Sequence, residues 1–167
     1  MKAAVVYASR TGTAARCAKR LAERLEADLL EITGNSRRKS AWDFPDVTAY
    51  DAVILGGGIR MGRLPRELCR WTSHWESVLL QKQVGLFLCC CFENQAADYF
   101  RHNFSVPLRE HACCSGCLGG ELDPSSLRGT DRLVAGLVLD SRGYASLPRL
   151  DLHRVDAYAQ RFLLLQP

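Results

Sequence analysis

The sequence predicts an α/β fold, a doubly wound five-stranded parallel sheet with helices on both faces. Three observations lead there. Near-continuous apolar runs of strand length alternate with stretches of helical apolar spacing. The runs lack the in–out alternation of a sheet with one wet face, so both faces are covered. Three of the loops that follow these runs are unusual in composition, and ligands in such folds bind outside the carboxyl ends of the strands.

The elements follow in order. Residues 3–8 (Ala-Ala-Val-Val-Tyr-Ala) form a buried strand, and a helix over about 13–26 carries Ala15, Ala18, Leu21, Ala22 and Leu25 on one face. A short strand covers 28–32. Residues 33–49 are polar, with Gly34, Asn35, Ser36 and Pro45, and read mostly as loop. The third strand covers 51–55 and ends in Gly56-Gly57-Gly58. Pro65 then suits the first turn of a helix whose apolar face is Leu64, Leu68, Trp71, Trp75 and Val78. A fourth strand spans 84–91, Ala96, Tyr99 and Phe100 mark a helix, and residues 112–118 form a fifth strand. Val155, Tyr158, Ala159 and Phe162 mark the last helix. With 167 residues, the chain is expected to be one domain, 1–167, with a sizeable core.

Composition narrows the class. An apolar fraction of 47% with 24% charged residues is that of a globular protein. No apolar run spans a bilayer, and Met1-Lys2 leads straight into a strand, so a cytoplasmic location is expected. The net charge of +4 and the short run Arg37-Arg38-Lys39 come without interleaved aromatics, which argues against nucleic acid. His74, His102, His111 and His153 are scattered and are given no metal or catalytic role.

The loop after the first strand, Ser9-Arg10-Thr11-Gly12-Thr13, is the most informative segment. The first N–H groups of a helix have no partner within it, and the helix dipole favours negative charge there. Ser9, Thr11 and Thr13 add hydroxyls, and Gly12 lets the backbone close around a phosphate. No Gly-Lys pair exists for a P-loop, and Gly12 stands alone, without a dinucleotide fingerprint. By itself the segment also suits an ordinary capped turn.

In its strand–helix setting, Ser9-Arg10-Thr11-Gly12-Thr13-Ala14 resembles the phosphate loop of the flavodoxins, Ser/Thr-x-Thr-Gly-x-Thr, with Ala14 in place of the last hydroxyl. The resemblance implies a flavodoxin-like fold and FMN as cofactor. Ser9, Arg10, Thr11, Gly12, Thr13 and Ala14 would hold its phosphate. Gly57, Gly58, Ile59, Arg60, Met61 and Gly62 would flank the isoalloxazine ring on one side, and Cys90, Cys91, Phe92 and Glu93 on the other. Phe92 is the stacking candidate, and Arg60 is placed near the pyrimidine end. Residues 50–56, followed by Gly58-Ile59-Arg60-Met61-Gly62, are similar to the group that includes menaquinone-dependent protoporphyrinogen dehydrogenase, as are Asp131-Arg132-Leu133-Val134 and the last helix. Three departures limit that likeness. Met61 replaces an aromatic residue, Phe92-Glu93-Asn94 lacks a long insertion, and residues 127–139 are only mildly apolar.

Three functions follow from the resemblance. One is electron transfer through bound FMN to a redox partner protein or a quinone. The second is a protoporphyrinogen- or quinone-type flavoenzyme, which leaves open whether the chain is an enzyme. The third is a module of the same fold without flavin. The basic charge suits an acidic partner or peripheral contact with an anionic membrane surface. The eight cysteines are expected to be reduced, since three in a row alternate between the faces of a strand. Cys114-Ser115-Gly116-Cys117 lies beside the strand of Cys89, Cys90 and Cys91. A metal site or flavin-coupled disulfide there is weighed against buried structural thiols, and the structural reading is preferred.

Overall fold

In the computed structural model, which describes residues 1–33, 44–121 and 149–165, five parallel strands form one sheet. They are β1 (Ala3–Ala8), β2 (Asp28–Glu31), β3 (Ala52–Gly58), β4 (Gln83–Cys89) and β5 (Cys114–Cys117), in the order β2-β1-β3-β4-β5. From β1 the chain steps outward to β2, then returns across β1 to β3. The direction of winding therefore reverses between β1 and β3, which opens a crevice at their carboxyl ends. In register, Val5 stands beside Leu29 and Ile54, and Leu55 beside Leu86. The residues Arg37, Arg38 and Lys39, the segment 127–139 and Asp131 to Val134 lie outside the described residues.

Strand alternation splits the core in two. Val5, Tyr7, Ile54 and Phe87 face α1 (Thr13–Leu25) and a C-terminal helix, Leu152–Leu164. Val6, Leu55, Leu86 and Leu88 face α2 (Arg66–Leu79). Each fully buried Leu or Phe contributes about 1.5–3 kcal/mol of transfer free energy. Trp71 of α2 is fully buried, and its indole N–H donates to the Pro45 carbonyl at 2.9 Å. No helix among the described residues is long and apolar enough to cross a membrane.

Several boundaries differ from the periodicity, each for a local reason. Gly56, Gly57 and Gly58 continue β3 rather than following it. A Cβ on Gly56 would sit 1.9 Å from the Phe87 carbonyl oxygen, so only glycine allows β3 and β4 to pair there. The expected fifth strand shrinks to Cys114–Cys117, yet Cys113 N–H still reaches the Val84 carbonyl and Leu118 N–H the Leu88 carbonyl. Helix α3 (Ala96–Asn103) is followed by an unforeseen helix, α4 (Val106–His111). Ser105 caps it by accepting from Leu108 N–H, and Pro107 sits in its first turn. On α2, Leu79 and Thr72 are buried where Val78 was expected.

The last helix, α5 (Leu152–Leu164), carries the expected buried face of Val155, Tyr158, Ala159 and Phe162. Gly85 and Gly116 make a depression for it, since a Cβ on either would come within 3 Å of Tyr158. The Tyr158 hydroxyl donates to the Leu86 carbonyl at 3.0 Å. On the outer side, Arg20 and Arg24 of α1 each grip the Asp156 carboxylate of α5 with two hydrogen bonds of 2.8–2.9 Å.

Candidate functional site

The loops after β1, β3 and β4 meet at the carboxyl edge of the sheet. Gly12 is the N-cap of α1, in the left-handed region at φ +90°, and no side chain caps the helix. Its N–H donates to Ser9 Oγ at 3.1 Å, which folds the loop on itself. Its carbonyl accepts from Arg16 N–H at 3.0 Å, which starts the helix. A Cβ on Gly12 would meet nothing within 4 Å, so the space before the helix is open. The first turn carries no acidic side chain. The positive end of α1 thus faces that space, with backbone N–H groups beyond the reach of any cap.

Side chains in this loop divide by exposure. Arg10 and Thr11 are exposed and Ser9 is half-buried. Thr13 and Ala14 are 8% and 1% exposed and support the loop from beneath. Ala14 Cβ lies 4.0 Å from where a Cβ on Gly58 would stand, so the start of α1 and the end of β3 are neighbours at this edge.

After β3, Ile59 N–H donates to the Cys89 carbonyl at 2.8 Å, which joins this loop to the end of β4. Arg60 and Arg63 exchange two backbone hydrogen bonds of 3.0 Å around Met61 (φ +50°) and Gly62 (φ +78°). Positive φ at both central residues makes this a type I′ turn. Asn103 at the end of α3 holds it, donating to the Gly62 carbonyl at 2.9 Å and accepting from Leu64 N–H at 2.8 Å. Met61 stands at the tip, 86% exposed. Ile59 instead packs on the α2 side of the core. Gly57 is buried, and a Cβ there would lie 2.7 Å from the Ala8 carbonyl oxygen; Gly58 is the glycine at the open edge.

After β4, Cys90 turns inward, with Sγ 3.2 Å from Cys117 Sγ. Cys91 is half-buried, and burial pushes its thiol up to about 11. Phe92 is half-buried and leads into a single 3₁₀ turn, Glu93–Gln95. Glu93 is ion-paired with Arg154 of α5 and so braces that helix. The segment beyond β5 crosses close above. A Cβ on Gly120 would lie 2.5 Å from the Cys90 carbonyl carbon, and Glu121 pairs with Arg16 of α1 at 2.6 Å.

The structure thus gathers Ser9, Thr11, Gly12, Gly58 and Phe92 on the loops of one edge. Asn103 and Arg154, which bond to the loops after β3 and β4, and Glu121, which pairs with α1, were not foreseen. An Asn at a helix end gives only a local C-terminal signal, and nothing nearby in sequence points to the distant turn it grips. Among the described residues, no group of three or more His, Cys, Asp or Glu side chains is arranged to hold a metal ion. A shallow groove elsewhere, lined by Arg24, His153, Asp156, Gln160 and Leu163, has its central charges bound to each other.

Comparison with curated protein sequences yields no match. Among solved structures, the flavodoxin WrbA-like protein from Agrobacterium tumefaciens is 19% identical, with 98% of this chain and 96% of that one covered and a TM-score of 0.59. Oxidised Flavodoxin 2 from Bacillus cereus is 20% identical, with 98% and 99% covered and a TM-score of 0.56. Rubredoxin oxygen:oxidoreductase from Desulfovibrio gigas is 12% identical over 98% of this chain and 36% of that one, with a TM-score of 0.55. At these identities the structures establish a shared fold. The sequence profile of the flavodoxin domain matches residues 4–146, and the chain belongs to that family.

Proposed function

We propose that the chain binds FMN across the carboxyl ends of β1, β3 and β4 and passes electrons through it to a protein or quinone acceptor. The observation that carries this reading is the uncapped N-terminus of α1 behind the left-handed Gly12, next to the β1/β3 reversal. The donor set fits a phosphate monoester, with backbone N–H groups at a positive helix end, the Ser9 and Thr11 hydroxyls, and open space where a Cβ would intrude. Ala14 contributes no hydroxyl, and its methyl lies toward the bare end of β3 at Gly58. Arg10, exposed beside the loop, adds positive charge. When bound, FMN supplies one- and two-electron redox chemistry.

The remaining residues shape the rest of the site. Gly58 leaves the end of β3 bare, so a planar edge can approach the backbone. Met61 on its braced turn and Phe92 after β4 offer apolar surface on two sides. The reading takes residues 1–167 as one domain, whose net charge of +4 suits an acidic docking partner.

A finer reading, oxidation of protoporphyrinogen or reduction of a quinone, is supported by the likeness of Ile59-Arg60-Met61-Gly62 to the protoporphyrinogen dehydrogenase group. The single 3₁₀ turn after Phe92 weighs against the porphyrin form. The first test is an absorbance spectrum of the purified chain after FMN is added and the excess removed. Retained flavin bands, with riboflavin held at least about tenfold less tightly for want of the phosphate, are the expected result. Loss of all flavin on desalting would favour the flavin-free module. Turnover of a quinone or of protoporphyrinogen by the loaded protein would separate an enzyme from a carrier.

A further inference from the structure

All eight cysteines are free thiols, and Cys90 and Cys117 are in sulfur contact, with Sγ atoms 3.2 Å apart. Strand register accounts for it. Cys117 of β5 stands opposite Leu88 of β4. Cys90 lies two residues beyond Leu88 and so shares its side of the pleat. Cys114, the other half of the Cys-x-x-Cys, is three residues from Cys117 and faces the α1–α5 core instead. A disulfide is about 2.0 Å long, so joining Cys90 to Cys117 needs a closure of roughly 1 Å and no change of strand pairing.

The two sulfurs sit in unequal settings. Cys117 is half-buried, while Cys90 is 5% exposed behind it. The two sulfurs share a hydrogen bond that either thiol can donate, and for Cys117 burial works against the lowering this contact gives. The Gly119 backbone adds a further hydrogen bond, so Cys117 is lowered to about 6. The same thiol contact and burial hold Cys90 far above the ordinary thiol range. Cys117, the more accessible sulfur, is therefore the one placed to meet an oxidant, with Cys90 behind it.

We propose that Cys90 and Cys117 form a dithiol–disulfide centre oxidised by hydroperoxide, with Cys117 as the attacking sulfur and Cys90 as the resolving one. The Cys117 thiolate attacks one peroxide oxygen, the O–O bond breaks, and the departing hydroxide takes a proton to become water. Cys117 is then a sulfenic acid. The Cys90 thiol attacks that sulfur, the S–S bond forms and the S–O bond breaks. The oxygen leaves as a second water, carrying the Cys90 proton. Two electrons pass from the two sulfurs to the peroxide, and a small-molecule dithiol returns them. The bridge would pin the end of β4 to the end of β5, directly before Cys91 and Phe92. This inference does not depend on flavin binding.

The test uses the reduced full chain without added flavin, treated with hydrogen peroxide. Two of the eight thiols should disappear, the mass should fall by about 2 Da as one disulfide forms, and peptide mapping should find Cys90 linked to Cys117. Cys90→Ser should block the bridge and leave a sulfenic acid on Cys117 that dimedone traps. Cys69→Ser, on α2, should bridge as the unaltered chain does. The map of the unaltered chain decides the matter even where a variant does not fold. Linkage in another pair, such as Cys17 with Cys89, or eight thiols still titrating after denaturation, would overturn the proposal.

Discussion

Gly12 has φ +90° at the entry to α1, with open space where a side chain would begin. Alanine fits that space but not the backbone, because a Cβ in the left-handed region meets its own carbonyl. Gly12→Ala should therefore cost about 1–2 kcal/mol in urea unfolding and weaken FMN retention as well. Gly56 and Gly58 behave differently although they lie two residues apart in one strand. A Cβ on Gly56 would stand 1.9 Å from the Phe87 carbonyl oxygen, and one on Gly58 would make an ordinary 4.0 Å contact with Ala14. Gly56→Ala should destabilise by about 1–3 kcal/mol or abolish folding. Gly58→Ala should leave the unfolding curve nearly unchanged and lower flavin affinity. Equal stability losses in the two variants would refute the division between a packing glycine and a site glycine. The sequence shows Gly56-Gly57-Gly58 as a uniform run. Their separate duties arise from what β1, β4 and α1 bring against each, which no local pattern encodes.

At the scale of the element, α1 and α5 are distant in sequence yet are joined by a four-bond clamp on Asp156. The guanidinium of Arg24, and then that of Arg20, hold the Asp156 carboxyl well below the usual carboxylate range. The folded protein thus binds this proton less readily than the unfolded chain, whose aspartate titrates near ~3.9. The clamp's contribution is fully present above about pH 4 and is lost as pH falls through the folded value. Asp156→Asn should lower Tm at pH 7 and show a shallower loss of stability below pH 4 than the unaltered chain, as thermal melts across pH 2.5–7 would reveal. Parallel melting curves would mean that the pair is solvated rather than structural. The apolar stripes of both helices were legible in the sequence, because a helical face recurs every three to four residues. The splitting of the third helical stretch into α3 and α4 was missed, although Ser105 and Pro107 mark a new helix start.

At the scale of the molecule, β1 and β3 meet only because the chain crosses back over β1, and this places Gly12 at the reversal. The net charge of +4 then bears on encounter. If the acceptor is acidic, electron transfer to it should slow as ionic strength rises from about 10 to 150 mM, since screening shortens the Debye length from roughly 30 to 8 Å. Stopped-flow rates against an acidic redox protein would measure this, and a salt-independent rate would point to an uncharged docking surface.

The fold class, the order of the strands along the chain and the buried face of the last helix were all legible in the sequence. These are local properties, set by a period of side chains along a short stretch. The strand order, the grip of Asn103 on the Met61 turn, and the contact of Cys117 with Cys90 rather than Cys114 emerge only in three dimensions. Each depends on which distant segments the fold brings together, and contacts such as parallel strand pairing join residues that no local periodicity connects.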